Sequence, residues 1–285
     1  MKPFPSKHYI GVVAQDPEIK PLEVGGTWYP SKPAPGKEGR AEVVLHFHGG
    51  AFVIGDGRNA DTGFLAKTFL ETTPATHVFC TQYRLSSNPG GRFPAALQDA
   101  ITSLLYLTET MGIPAKNITV SGDSAGGNLT LALLRYISTY PNASLPSPGC
   151  AWLWSPWVDP AGAGDFDQSP HFSTDYLTKG FGLWGLRAYA PSPSSGLSIT
   201  DPYIRFLGTA FKTPTPLFFS AGESEILFHD DVKCFEEFKE MGNKVELQVE
   251  RNAVHDVILV GNVVGMTGTA REASRRAGVF LTGCK

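Results

Sequence analysis

The stretch Val120-Ser121-Gly122-Asp123-Ser124-Ala125-Gly126-Gly127 constrains this chain more than any other. One apolar run stops there and another, 129–137, begins almost at once, with a serine bracketed by glycines at the junction. G-x-S-x-G between a strand and a helix is a nucleophile elbow. The turn is so tight that the serine backbone is forced into a sparsely allowed conformation, and only small neighbours let the two elements pass. Gly122 and Gly126 supply that room. The turn also lifts Ser124 Oγ clear of the sheet and puts the Ala125 amide at a helix N-terminus, where unpaired N–H groups favour negative charge. A hydroxyl becomes a nucleophile only beside a base, so the rest of the chain has to supply a base, an acid to orient it and donors for an oxyanion.

Strands alternate with helices along the chain. Apolar runs over 41–47, 76–82, 117–121, 149–154, 217–221 and 244–249 read as strands, and 22–29 as an earlier one. Helical spacing recurs over 57–72, 94–111, 129–137, 230–241 and 269–281. That alternation predicts an α/β fold with a mostly parallel sheet and right-handed crossovers. At 285 residues we expect a single domain, 1–285, with a proline-punctuated polar arm over 1–20. Residues 161–202 are rich in Gly, Ser, Pro and Asp with scattered aromatics, too irregular for another β-α unit. A connection that long reads as a substrate cap. Most of its aromatics are expected to form the cap's own small core, whereas Trp157, beside a strand end, is expected to face a ligand.

Composition excludes several classes. A formal net charge of -3 without a dense Lys/Arg run gives no footprint for nucleic acid. Four widely spaced cysteines, Cys80, Cys150, Cys234 and Cys284, show neither a zinc pattern nor a disulfide framework, and read as free thiols, three of them buried. No metal or other cofactor is expected. No run approaches twenty apolar residues and no signal-peptide core is present, so the expectation is a cytoplasmic protein without a membrane span.

In an open α/β sheet, ligands bind at the carboxyl ends of the strands. His48, Ser124, Asp159, Glu225 and His255 all follow predicted strands and share that edge. Of seven histidines, His255 is the one on a loop after a strand and after the elbow with no other evident duty. The acid should fall between serine and histidine in chain order. Glu225, Glu223 and Asp230 compete. Glu225 is preferred because it lies just past a strand and the apolar pair Ile226-Leu227 would anchor it, with Glu223 the runner-up. After the strand 41–47, the segment His48-Gly49-Gly50-Ala51-Phe52 offers small residues whose amides can converge on one spot, as an oxyanion hole requires.

At these residues the sequence resembles the hormone-sensitive-lipase-like family of α/β hydrolases, esterases with an H-G-G-G motif and a G-D-S-A-G-G elbow, over about residue 22 to the C-terminus. The elbow matches in full; Tyr83-Arg84-Leu85, Asp99 and Ser155-Pro156-Trp157 also look like the family. Its acid pattern D-x-L becomes Glu225-Ile226-Leu227, and its histidine segment becomes His255-Asp256-Val257, close to fungal variants. Ala51 replaces the third glycine, keeping the amide while adding a methyl group. The resemblance implies oxyanion donors at Gly50, Ala51 and Ala125, with Gly49 shaping the turn. Phe52, Asp123 and Trp157 are the candidate substrate contacts. Family members also carry a helical N-terminal cap, where only about twenty residues stand here, which implies a more open site or one finished by a partner chain.

The expected function is a serine hydrolase acting on a small-molecule ester, lactone or thioester through Ser124, His255 and Glu225. A hydrolase releasing or trimming polyketides, its acyl substrate carried on a partner protein, is the alternative within enzymes. A ligand-binding relative of the plant hormone-receptor type is the alternative outside them. A homodimer is plausible by family analogy alone.

Overall fold

The computed structural model describes residues 1–285. Seven strands form one sheet in the order β1-β3-β2-β4-β5-β6-β7: β1 Gly25–Tyr29, β2 Val43–Phe47, β3 His77–Gln82, β4 Ile118–Asp123, β5 Cys150–Trp154, β6 Leu217–Gly222 and β7 Val245–Glu250. Only β1 is antiparallel, lying on β3 with Gly25 opposite Gln82; every other pairing is parallel. Parallel strands need helical crossovers, and these cover both faces. The helices are α1 Asn59–Thr72, α2 Ala95–Leu105, α3 Ala125–Thr139, α4 Lys179–Tyr189, α5 Phe228–Glu240, α6 Val257–Val260 and α7 Thr267–Thr282.

The apolar runs follow from that covering. Along β2, Val43, Leu45 and Phe47 enter the larger core with α2 and α3, while Val44 turns to a second core against α1 and α7. Along β5, Ala151 and Leu153 take the first face, and Cys150, Trp152 and Trp154 the second. Period-two alternation with both faces buried produces a continuous apolar string.

Three expectations change. The first strand starts at Gly25 rather than residue 22, because its pairing partner β3 ends at Gln82. The helix expected over 94–111 is an α-helix to Leu105 and a wider π turn over Tyr106–Thr110. The first twenty residues, expected as a polar arm, pack against the domain. Val12 and Val13 are buried, the Ile10 amide donates to Tyr136 Oη at 2.8 Å, and Gln98 Nε2 donates to the carbonyls of Val13 and Ile19. They seal α2 and α3.

The cap holds 3-10 turns over Pro160–Gln168 followed by α4. Its aromatics do not make a separate core: Phe172, Tyr176 and Trp184 are partly exposed, while Tyr189 stacks on Phe52 with ring centroids 3.6 Å apart. The Phe93 amide also donates to the Tyr189 carbonyl at 3.1 Å. The cap is thus fastened to the main domain through α4, directly above the loop after β2. Cys80, Cys150 and Cys234 are buried free thiols, and Cys284 is partly exposed.

Candidate active site

Ser124 joins β4 to α3 with φ 50° and ψ -115°, a region that side chains rarely enter. The elbow holds it there. A Cβ on Gly122 would collide with the Gly126 carbonyl, and one on Gly126 with the Phe47 carbonyl. The Ser124 amide donates to the Trp154 carbonyl at 2.9 Å, and its own carbonyl accepts from Trp157 N at 2.9 Å. Ser124 Oγ makes no hydrogen bond within the protein.

On the same edge, His255 Nδ1 lies 3.1 Å from Glu225 Oε2, with both residues buried. An imidazole nitrogen facing a carboxylate carries the proton, which leaves Nε2 as the basic atom. Burial works against the imidazolium, but the hydrogen bond and charge of Glu225, with Asp175 and Asp123 behind it, outweigh burial and raise the His255 pKa above its ordinary value. Glu223, the rival acid, is exposed and accepts the Asn252 amide instead. Asp230 is partly exposed, on α5.

Two further residues hold this pair in place: Asp175, which the sequence did not single out, and Ser155, which it marked only as part of a family-like segment. Asp175, from the irregular part of the cap, accepts the His255 amide through Oδ1 at 3.2 Å and the Ile226 amide through Oδ2 at 2.8 Å. It ties the acid loop to the histidine loop. Ser155 Oγ accepts the Asp256 amide at 3.0 Å and links the histidine loop to the end of β5.

The loop after β2 turns through three consecutive residues with positive φ: Gly50 (94°), Ala51 (51°) and Phe52 (63°). The amides of Gly50 and Ala51 bond to no protein acceptor, and Ala125, first in α3, has no intrahelical acceptor within reach. Gly49 differs. Its amide donates to Asp123 Oδ2 at 2.8 Å, so it shapes the turn and is not a free donor. Asp123 Oδ1 lies 2.9 Å from His46 Nε2, and His46 Nδ1 meets Ser121 Oγ, which also accepts from Trp154 Nε1. Burial opposes the charge on Asp123, yet the hydrogen bond and charge of His46 prevail and keep its pKa below the ordinary carboxylate range. Asp256 abuts Asp123, and burial followed by that like charge pushes its pKa well up. His48 stacks on Tyr83, and its Nδ1 lies 2.8 Å from the Gly49 carbonyl. Burial lowers its pKa, which makes it a neutral wall.

The three candidate substrate contacts separate. Trp157 lines a cavity beside Ser124 with Ala51, Phe166, Leu177, Phe181, Gly182 and Leu227. Phe52 and Asp123 are fully buried away from it: the positive φ at Phe52 swings its ring into the core, and Asp123 is consumed by Gly49 and His46. The cavity encloses only about 10 Å³, room for a single water. A larger groove of about 310 Å³ runs past Gly49 and Gly50 between His48, Ile54, Phe64, Leu259 and Val260.

A parallel sheet with a strained serine, a buried histidine–carboxylate pair and free amides at its carboxyl edge defines the α/β-hydrolase class. A family model described as alpha/beta hydrolase fold matches residues 44–259, and the chain belongs to that family. It is 27% identical over 227 residues to an ethyl acetate hydrolase of Pseudomonas putida, covering 78% of this chain and 68% of that protein. It is 29% identical over 198 residues to an acetyl-hydrolase of Streptomyces hygroscopicus, covering 68% of this chain and 60% of that protein. The chain thus spans about two thirds or less of the length of these relatives. Among solved structures, an esterase/lipase from an uncultured bacterium superposes with a TM-score of 0.74 at 25% identity, over 92% of this chain and 81% of that one. No helix is long and apolar enough to cross a membrane.

Proposed function

We propose that this chain is a serine hydrolase of carboxylic esters with short acyl groups. The reading is carried by the His255–Glu225 pair at 3.1 Å on the edge that holds the strained Ser124. His255 Nε2 takes the proton from Ser124 as Oγ attacks the ester carbonyl; the hydrogen bond between the two is of the kind that forms or tightens only when substrate is bound. The oxyanion is met by the amides of Gly50, Ala51 and Ala125. Loss of one such donor costs about 10²–10³ in turnover. Protonated His255 then returns its proton to the leaving alcohol, and water attacks the acyl-enzyme through the same base.

Substrate size follows from the space. The cavity beside Ser124, closed by Ala51 and the α4 residues Phe181 and Gly182, has no room for a long acyl chain, and even an acetyl group requires its lining side chains to give way. The groove past Gly50 has room for the alcohol portion. The names of the two relatives, an ethyl acetate hydrolase and an acetyl-hydrolase, agree with that size.

A series of p-nitrophenyl esters from acetyl to dodecanoyl, with Ser124→Ala as blank, tests this. Turnover should be greatest for acetyl and absent in the variant. A preference for long chains would overturn the acyl assignment, and an active Ser124→Ala would overturn the serine hydrolase itself.

A further inference from the structure

One buried carboxyl group has no part in the reaction as written. Asp231, on the first turns of α5, is fully buried, and neither of its side-chain oxygens has a hydrogen-bond partner. Glu225 Oε1 is also buried and unpartnered, and the two carboxyl groups lie against each other. Two ionised carboxylates side by side in a dry interior repel strongly, and each orphaned oxygen adds a desolvation cost. A single proton between them removes both difficulties.

The surroundings decide which group carries it. Glu225 faces the N–H of His255 and must stay an anion to orient it. Around Asp231 are Glu225, its neighbour Asp230 and the buried thiol of Cys234, none of them a cation. The one cation whose charge is felt at Cys234, Arg135 of α3, is turned to Thr209 and the ring of Phe211. Across the pair, His255 is faced by Glu225, Asp175, Asp123 and the ring of Tyr176. Burial, then the charge of Glu225, pushes the Asp231 pKa well up.

We propose that Asp231 is a protonated positioning residue whose carboxylic O–H donates to Oε1 of Glu225 and fixes the rotation of the carboxylate that holds His255. The proposal rests on the hydrolase reading above. The donated bond also draws charge from Glu225, which limits how tightly it holds the imidazolium and keeps His255 neutral, and therefore basic, over a wider range of pH. A carboxylate without that bond would bind the imidazolium more strongly and swing more freely.

The test compares Asp231→Leu and Asp231→Asn with the wild-type chain on p-nitrophenyl acetate. In Asp231→Leu the acid limb of kcat/KM should move up by about one pH unit, and kcat should fall by about tenfold with KM little changed. Asp231→Asn, whose amide N–H replaces the O–H, should restore the wild-type limb. A limb and kcat unchanged in Asp231→Leu overturn the proposal. Infrared spectroscopy gives a readout independent of turnover and of how well the leucine variant folds. The wild-type chain should show the C=O stretch of buried carboxylic acid at neutral pH, with the Asp231 contribution gone in Asp231→Asn; no loss there also overturns the proposal. Retained turnover in Ser124→Ala defeats the hydrolase reading instead, and leaves the infrared result standing.

Discussion

Oδ2 of Asp123 accepts the amide of Gly49 at 2.8 Å, a bond that fastens the loop after β2 to the elbow itself. Asp123 is one residue before Ser124, and Gly49 one residue before Gly50. Ser124 and the Gly50 and Ala51 amides proposed for the oxyanion are therefore set relative to each other by a single side chain, which is in turn held by His46 at 2.9 Å. Asp123→Ala should free that loop. We expect kcat to fall by about 10², the scale of a lost oxyanion donor, with KM nearly unchanged, because the bond serves alignment and not substrate contact. Steady-state kinetics on p-nitrophenyl acetate check this, and a variant altered only in KM would contradict it.

The pH profile follows from the sign of the His255 shift. The base must be neutral to accept the Ser124 proton, and its pKa is raised from 6.5. The rising limb of kcat/KM should therefore have its midpoint above 6.5 and not below. Glu225→Gln removes the hydrogen-bonded charge and leaves burial as the prevailing influence, so the limb should move to lower pH while kcat drops. A limb that stays in place would mean that Glu225 does not govern His255.

The cavity beside Ser124 owes its size partly to one methyl group. Ala51 has φ 51°, a conformation better suited to glycine, and its Cβ comes within contact of the place where a Cβ on Gly185 of α4 would stand, 2.7 Å away. Ala51→Gly should relieve backbone strain of about 1 kcal/mol and open space toward α4. The ratio of butyryl to acetyl turnover should rise severalfold, and thermal unfolding should show no loss of stability. An unchanged ratio would place the acyl group elsewhere, in the groove past Gly50.

Much of this site is legible in the sequence because it depends on local chemistry. The serine between Gly122 and Gly126 at a strand-to-helix junction permits few geometries, and strands buried on both faces announce themselves as apolar runs. Glu225 follows from its place after β6. What the sequence conceals is polarity made buried by tertiary packing. Asp175 lies in an irregular segment, Asp231 near a helix start and Asp256 beside His255, all positions where an acid ordinarily faces water. Phe52 misleads for the opposite reason: its place beside the oxyanion loop suggests a ligand contact, but positive φ turns it toward Tyr189. The polar N-terminal arm shows no periodicity that announces its packing, and it is its backbone hydrogen bonds to Tyr136 and Gln98 that fix it.

Glu250, at the end of β7, should make stability fall with rising pH. Its Oε1 is buried without a hydrogen bond, Arg276 stays 3.9 Å away and Glu272 adds a like charge. Burial foremost raises its pKa from 4.5 to about 7. Between those two values the folded chain keeps a proton that the unfolded chain has released, so unfolding releases a proton and is favoured as pH increases. The stabilising protonated form is fully present below pH 4.5 and is lost as pH climbs through about 7. Glu250→Gln keeps the neutral shape and removes the titration. Its melting temperature should match the wild-type value at pH 4, pull ahead through the window, and exceed it by a constant margin at pH 8. An advantage that is the same at both ends of the range would assign the gain to packing and not to the buried charge.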